Sequence, residues 1–274
     1  MRNIDSYSKH VMDRINENDS EEYASQIRIL KKNGELIATV NSDSLSGLDL
    51  SGRILTSADL SRKYLKETVF VEAILDWCDL YGADLTGSNL RGADLTNANL
   101  TGAILTGANF QDSQMEEANM ENCDSALGAN FSGAYMHHVE ANHSNMEGCS
   151  FSGAKMYSCK MNNCNLEVSD FSGANIIYVD FRRSNLRNAI GLEKIKNPET
   201  ANFKHCDLTG VSVEFFMRLV KAESEGDLAF WEEPPMSEQT PNGPVTLEDF
   251  LMGCKGVPWS AIRKTKKSKN LFGI

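Results

Sequence analysis

The sequence feature that most constrains this chain is a five-residue rhythm in its middle. In Ala83–Phe110, ADLTGSNLRGADLTNANLTGAILTGANF, a large apolar residue falls at every fifth position and a small residue stands two places before it. An α-helix repeats about every 3.6 residues and a β-strand every two, so neither element alone keeps this period on one face. The chain must therefore change direction once in each repeat.

Each repeat has the composition of a short extended segment followed by a bend. Residues two apart on an extended segment point to the same side, so the small and the large apolar residue face inward and the Asp or Asn between them faces outward. The Ser/Thr-Gly pair that often follows, as in Thr86-Gly87, suits a corner because Gly tolerates unusual backbone angles. Successive bends wind the chain around an apolar axis, and each coil covers its neighbours as in a solenoid.

Here the sequence resembles the pentapeptide repeat family, whose repeat reads roughly A-(D/N)-(L/F)-x-x. The resemblance extends over about residues 46–190 and returns near Asn202, Asp207 and Ser212. It implies a mainly β fold, the right-handed quadrilateral β-helix, in which four pentapeptides form one coil and residues twenty apart stack. About seven coils and a rod of roughly 34 Å then follow from the spacing between strands.

The rhythm has two interruptions. Met120 and Phe131 are eleven residues apart instead of ten, so ENCDSALGAN contains one extra residue, which predicts a bulge or a small loop. Leu192–Thr200 lacks the rhythm and contains a proline, which predicts a loop at 191–200 before a last turn of coil. We expect an N-terminal α/β cap at 1–45, the repeat β-helix at 46–213 and a helical C-terminal flank at 214–274.

Both flanks are predicted to close the ends of the solenoid, where strand edges are otherwise unpaired. On the N-terminal side the sequence predicts a helix at Tyr7–Ile15 and a hairpin at Gln26–Val40, turned at Asn33-Gly34. On the C-terminal side Val213–Glu223 has the pattern of an amphipathic helix. Its apolar residues either plug the last coil or form a homodimer contact at this end of the rod; they are Phe215, Phe216, Leu219 and Val220.

Residues 224–274 are expected to form a small appendage. Glu232–Pro244 is polar and rich in proline, and Thr246 is placed to cap a short helix. The residues after Asp249 include several bases and no acid. One interpretation is that this basic tail folds back onto the acidic part of the rod.

Charge is the main functional signal. The formal net charge of −11 makes direct binding to nucleic acid unexpected, because phosphates attract Lys and Arg. Positions 92–154 contain no Lys or Arg. They carry eight acids, which we call the acidic middle and expect to form one partner-binding face: Asp94, Asp112, Glu116, Glu117, Glu121, Asp124, Glu140 and Glu147. On a rigid rod these charges could steer a basic partner; a solvated surface that resists aggregation is the alternative interpretation.

Other candidate sites carry weaker signals. His137, His138 and His143 lie near acids in the predicted stack and are weak candidates for a metal site; ordinary surface histidines beside acids are the preferred interpretation. No cofactor is predicted. Six of the seven cysteines occupy or adjoin the small inward position, where a thiol replaces Ala or Ser: Cys78, Cys123, Cys149, Cys159, Cys164 and Cys206. Without a CxxC pair, they indicate structural filling instead of a disulfide framework or zinc module.

The resemblance and the charge together give two functional hypotheses, neither of them enzymatic. Some rod-shaped, acidic members of the family resemble duplex DNA and bind type II topoisomerases, so the first is a DNA mimic that inhibits or protects gyrase or topoisomerase IV. The second is a bacterial effector or scaffold whose rod presents its flanks to a host or bacterial protein. The sequence shows no membrane-spanning run or signal-peptide core, so we expect a cytoplasmic protein, or in the second hypothesis one secreted into a host cell.

Overall fold

The computed structural model describes residues 26–228 and 246–272, with side chains in the second range up to residue 266. The helix predicted at Tyr7–Ile15 and the link at Glu232–Pro244 lie outside these residues. The regular elements are, in chain order, β1 (Ile27–Leu30), β2 (Leu36–Val40), β3 (Tyr135–His137), β4 (Lys155–Tyr157), β5 (Asn175–Ile177), two 3₁₀ helices (Leu192–Lys194 and Pro198–Thr200), α1 (Val213–Glu225), α2 (Leu247–Phe250) and α3 (Trp259–Phe272).

Between Asp49 and Asp207 the chain forms the right-handed quadrilateral β-helix that the resemblance implies. Each face contributes one short extended segment per coil, and residues one coil apart are joined by parallel bridges. One column of bridges runs through Asp49, Val69, Asn89, Asn109, Asn130, Ser150, Asp170 and Ile190. We number the faces 1 to 4 by their first bridged residues, which are Asp49, Ile54, Asp59 and Tyr64. β3, β4 and β5 are segments of face 2 in successive coils and pair in parallel.

Extra residues shift the stacking without interrupting it. The step between bridged residues is twenty from Ile54 to Ile74 and becomes twenty-one from Ile104 to Ser125, at the extra residue predicted in ENCDSALGAN. The segment 191–200, predicted as a loop, stays in contact with the rod, because Lys196 bridges to the preceding coil. The two 3₁₀ helices take up the additional residues there, since a tight turn changes direction within a few residues.

The core is a narrow column of inward-facing side chains that are almost fully buried. On face 1, phenylalanine rings stack over one another with centroids 4.9 Å apart for Phe110 and Phe131, 5.3 Å for Phe131 and Phe151, and 5.0 Å for Phe151 and Phe171. These distances follow the spacing of the coils, and stacked rings add to the stabilisation that burial provides. The small residue before each large one leaves room for the side chains of the other faces.

The corners place their second residue in the left-handed region whether or not it is glycine. Gly82 and Gly102 have φ values of 60° and 65°, and Trp77 and Val168 have similar values of 57° and 52°. This conformation costs a residue with a side chain roughly 1–2 kcal/mol. A hydrogen bond to the next coil offsets that cost, as where the N–H of Trp77 donates to the carbonyl of Thr96 at 2.9 Å.

The Asp or Asn between the two inward residues also fixes the corner. Asp84 Oδ1 accepts from the N–H of Thr86 at 3.1 Å and from its hydroxyl at 2.6 Å. Asp59 makes the same contact with Ser61, whose hydroxyl donates to Asp59 Oδ1 at 2.6 Å. This hydrogen bond is the largest of several contacts that lower the pKa of Asp59. Short side chains with an acceptor oxygen favour such turns, which explains why Asp and Asn recur at this position.

The β1–β2 hairpin lies where it was predicted and extends the stack at the N-terminal end. The N–H of Asp59 in the first coil donates to the carbonyl of Leu30 at 2.7 Å, and Ile29 is buried against the core. Lys32 in the hairpin turn forms a salt bridge with Asp79 at 2.6 Å. The hairpin therefore pairs with part of the edge that the first coil would otherwise leave open.

At the other end of the rod α1 packs against the last coil. Its Phe215, Phe216, Leu219 and Val220 are buried within this single chain. The ring of Phe215 lies 5.4 Å from that of Phe203 in the last coil. The guanidinium of Arg218 donates to the carbonyls of Glu193 and Ile195, at 2.8 and 2.7 Å, and ties α1 to the 3₁₀ segment.

The chain returns to the rod after α2. Thr246 caps that helix as predicted, since its Oγ1 accepts from the N–H of Asp249 at 3.1 Å. Lys255 then bridges to Asp207 and adds one more segment to face 4. The described part of the basic tail lies on α1, where Lys266 forms a salt bridge with Glu223 at 2.8 Å.

Two glycines test how closely the backbones of successive coils approach each other. A Cβ at Gly191 would overlap the backbone of Ser172, whereas a Cβ at Gly102 would meet nothing within 4 Å; both residues have positive φ. We expect Gly102→Ala to lower the free energy of unfolding by about 1 kcal/mol and Gly191→Ala by roughly 3 kcal/mol. Urea denaturation followed by circular dichroism measures both, and equal losses would contradict the close approach at Gly191.

Candidate interaction surface

The structure distributes the acidic middle around the rod instead of gathering it on one face. Glu116 and Glu117 form a corner between faces 2 and 3, and Glu121 lies on the next corner, between faces 3 and 4. The other positions follow from the bridge register: Glu140 is on face 3, Asp94 on face 2, Asp112 on the corner between faces 1 and 2, Asp124 just before face 4, and Glu147 on the corner between faces 4 and 1. The eight carboxylates therefore surround the rod.

Few of these carboxylates are neutralised within the described chain. Glu140 forms a salt bridge with Lys160 at 2.8 Å, and it is the one acid of the set with such a partner among the described residues. Glu121 accepts a neutral hydrogen bond from Asn142 at 2.8 Å. The field of this region is therefore largely uncompensated and is held in place by the stacked coils.

Two of the three candidate histidines lie beside one aromatic ring. The ring of His137 lies 5.6 Å from that of Tyr157, and the ring of His138 lies 5.8 Å from it. His143 lies on the next corner, beside Asn142. No cluster of His, Cys, Asp and Glu among the described residues has the arrangement needed to hold a metal.

The cysteine thiols complete hydrogen bonds inside the core. Cys149 Sγ donates to the carbonyl of Ala126 at 2.9 Å and Cys159 Sγ to that of Met136 at 2.7 Å. Serines at the same position do likewise, as in Ser144 to the carbonyl of Met120 at 2.7 Å. At the small inward position a thiol or a hydroxyl can therefore donate a hydrogen bond to a buried carbonyl of the preceding coil.

Sequence reasoning missed two grooves. One, of about 450 Å³, runs along the corner between faces 3 and 4 and ends at Arg182, Arg183, Lys204 and His205. The other, of about 460 Å³, lies between the hairpin turn and Trp77, whose side chain is 63% exposed. The sequence does contain a signal for the basic corner, which is two adjacent pairs of basic residues one coil apart, offset by the 3₁₀ segment.

The sequence matches a known family model over the residues that form the coils. The model for pentapeptide repeats matches residues 44–87, 83–122, 129–167 and 149–188, which together make up just over half of the chain. The chain belongs to the pentapeptide repeat family. No curated protein sequence matches this pentapeptide repeat protein.

Several solved structures are similar to it. HetL from the cyanobacterium Nostoc sp. strain PCC 7120, involved in the regulation of heterocyst differentiation, is 23% identical over 61% of this chain and 77% of its own, with a TM-score of 0.28. Full-length QnrB1, a plasmid-mediated fluoroquinolone resistance protein, is 15% identical over 80% and 99%, with a TM-score of 0.37. A pentapeptide repeat protein of the Arabidopsis thaliana thylakoid lumen is 29% identical over 51% and 68%, with a TM-score of 0.15. The family assignment rests on the matched repeats.

The described part of the chain contains no helix with the length and apolar character required to cross a bilayer.

The buried thiols should be unreactive in the folded protein. Burial raises the pKa of Cys149, Cys159 and Cys164 to about 12, and that of the partly exposed Cys254 to about 11. At pH 8 the reactive thiolate is therefore scarce as well as covered. We expect almost no reaction with dithionitrobenzoate within minutes under native conditions, and reaction of all seven thiols in guanidinium chloride. A Cys254→Ser control removes the least buried thiol; rapid labelling that persists in it would contradict the structural role.

Proposed function

We propose that this protein is a non-enzymatic interaction module whose acidic middle occupies a basic groove built for duplex DNA, as in gyrase or topoisomerase IV. The observation that supports this most is the density of charge along the axis. Positions 92–154 make up about three coils, or roughly 15 Å, and carry the eight acids. Because Glu140 is paired with Lys160, seven uncompensated charges remain, or roughly one per 2.2 Å of rod, compared with about 1.7 Å for duplex DNA.

The arrangement of the charges around the rod supports the same proposal. A duplex presents phosphates on every side, and a groove that holds it can contact more than one side. The acidic middle likewise offers carboxylates on several faces and corners, from Asp94 on face 2 to Glu147 on the corner between faces 4 and 1. Because hydrogen bonds between coils fix the backbone, these charges require little reorganisation on binding.

Lys and Arg occur in the coils on either side of the acidic middle, where acids occur as well. Lys63 and Lys66 precede it in the first coils, and Arg182, Arg183 and Arg187 follow it. A partner held by charge should therefore contact the middle, and its affinity should fall steeply as salt rises.

The triple variant Glu116→Gln, Glu117→Gln and Glu121→Gln tests the acidic middle directly. It removes three charges from adjacent corners and keeps side chains of the same size. We expect at least tenfold weaker binding to gyrase or topoisomerase IV, measured by surface plasmon resonance and by inhibition of supercoiling at several salt concentrations. The thermal midpoint should change little, because these side chains lie outside the core.

A matched control is the triple variant Asp43→Asn, Glu67→Gln and Glu72→Gln, which has the same net charge but changes exposed acids outside the middle. It should bind as the unmodified protein does. Equal losses in both variants would mean that overall charge, and not this region, governs binding. If neither enzyme binds at micromolar concentration, the topoisomerase assignment is wrong; specific capture of a host protein by the intact rod would then favour the effector or scaffold hypothesis.

A further inference from the structure

The groove between faces 3 and 4 differs in charge from the acidic middle. Four successive coils line it with one pair of corner residues each: Asn142 and His143, Asn162 and Asn163, Arg182 and Arg183, and Lys204 and His205. Its volume is about 450 Å³, and three coil-to-coil steps give it a length of roughly 15 Å. It is therefore elongated, amide-lined at one end and basic at the other.

A chain of amides along the groove leaves one acceptor without a donor. The carboxylate of Glu121 can only accept, so Asn142 must direct its Nδ2 toward it, at 2.8 Å. Asn142 Oδ1 then faces the next coil and accepts from both the Nδ2 and the backbone N–H of Asn162, each at 3.0 Å. Asn162 Oδ1 is left buried and without a hydrogen-bond partner in the described chain. Such an orphaned acceptor favours a ligand that brings an N–H or O–H.

The basic end of the groove is held in place by a buried acid. Asp180 is fully buried and accepts from Arg182 through Nε at 2.9 Å and through Nη2 at 2.6 Å. This pairing holds Arg182 against face 3 of its own coil. The adjacent Arg183 is exposed, and Lys204 and His205 follow one coil later. Negative groups of a ligand are therefore attracted to this end of the groove.

An extended acidic peptide satisfies both requirements, and we infer that the groove binds one. A segment of about four residues matches the length of the groove at roughly 3.3 Å per residue. Its backbone N–H groups can donate to Asn162 once that amide turns toward the groove, because Oδ1 has almost no exposed surface as the side chain stands. Acidic side chains at one end can contact Arg183 and Lys204. A nucleic acid strand fits less well, because its phosphodiesters have no donor and its continuation would approach Glu121.

The inference is tested with the full-length protein and short fluorescent peptides. The probes are a labelled Gly-Ser-Asp-Glu-Asp-Glu peptide, a labelled Gly-Ser-Lys-Arg-Lys-Arg peptide and a labelled oligothymidylate of twelve nucleotides, each measured by fluorescence anisotropy. The groove variant is Arg183→Ala with Lys204→Ala. The control is Arg187→Ala with Lys196→Ala, which removes the same charge from the same part of the rod on other sides.

We expect the acidic peptide to bind, and the groove variant to weaken that binding at least tenfold while the control changes it less than twofold. Asn162→Ala should weaken it three- to tenfold without altering its salt dependence, since that residue is uncharged. No binding of the acidic peptide, equal losses in variant and control, or tighter binding of the oligonucleotide in the same groove would each overturn the inference. The acidic middle is unchanged in these variants, so the topoisomerase proposal stands or fails separately.

Discussion

The hydrogen bonds between successive coils are the constraint on which this structure depends. A segment with only a few extended residues cannot satisfy its backbone groups alone, so every coil needs another coil at the strand spacing above and below it. The left-handed corners are tolerated because their N–H groups are used in the same stack, even at Trp77 and Val168. The same requirement explains why extra residues are absorbed in bends and 3₁₀ turns, and why the hairpin and the returning segment at Lys255 pair with the terminal coils.

The stacked backbone restricts the residue types at the inward positions of each repeat and leaves those at the corners variable. The two inward positions of each repeat must be small and large apolar, with Ser or Cys accepted where a hydroxyl or thiol can reach a buried carbonyl. The two corner positions face solvent and carry most of the charged side chains. A rigid core with variable corners can therefore hold the acidic middle and the basic end of the groove on one short rod, each with its charges fixed in space.

The amide chain along the groove illustrates how one charge can organise a surface. Glu121 determines which way Asn142 points, and Asn142 in turn determines which atom Asn162 offers to the groove. Repetition makes such chains possible, because equivalent side chains lie one above another at nearly constant spacing. Glu121 of the acidic middle lies one coil before the groove and accepts from Asn142 at its end, so the two surfaces meet at this corner.

The sequence by itself determined the coil, its register and its interior, because the inward positions repeat every five residues and their character depends only on local geometry. It also located the extra residue before Ser125, the hairpin turn and the cap at Thr246, whose signals are local. Only the tertiary structure decided which corners meet. The alignment of the basic corners into one groove depends on how the 3₁₀ segment takes up two additional residues, and the place of the tail on α1 depends on a contact between distant segments, and no local pattern contains either.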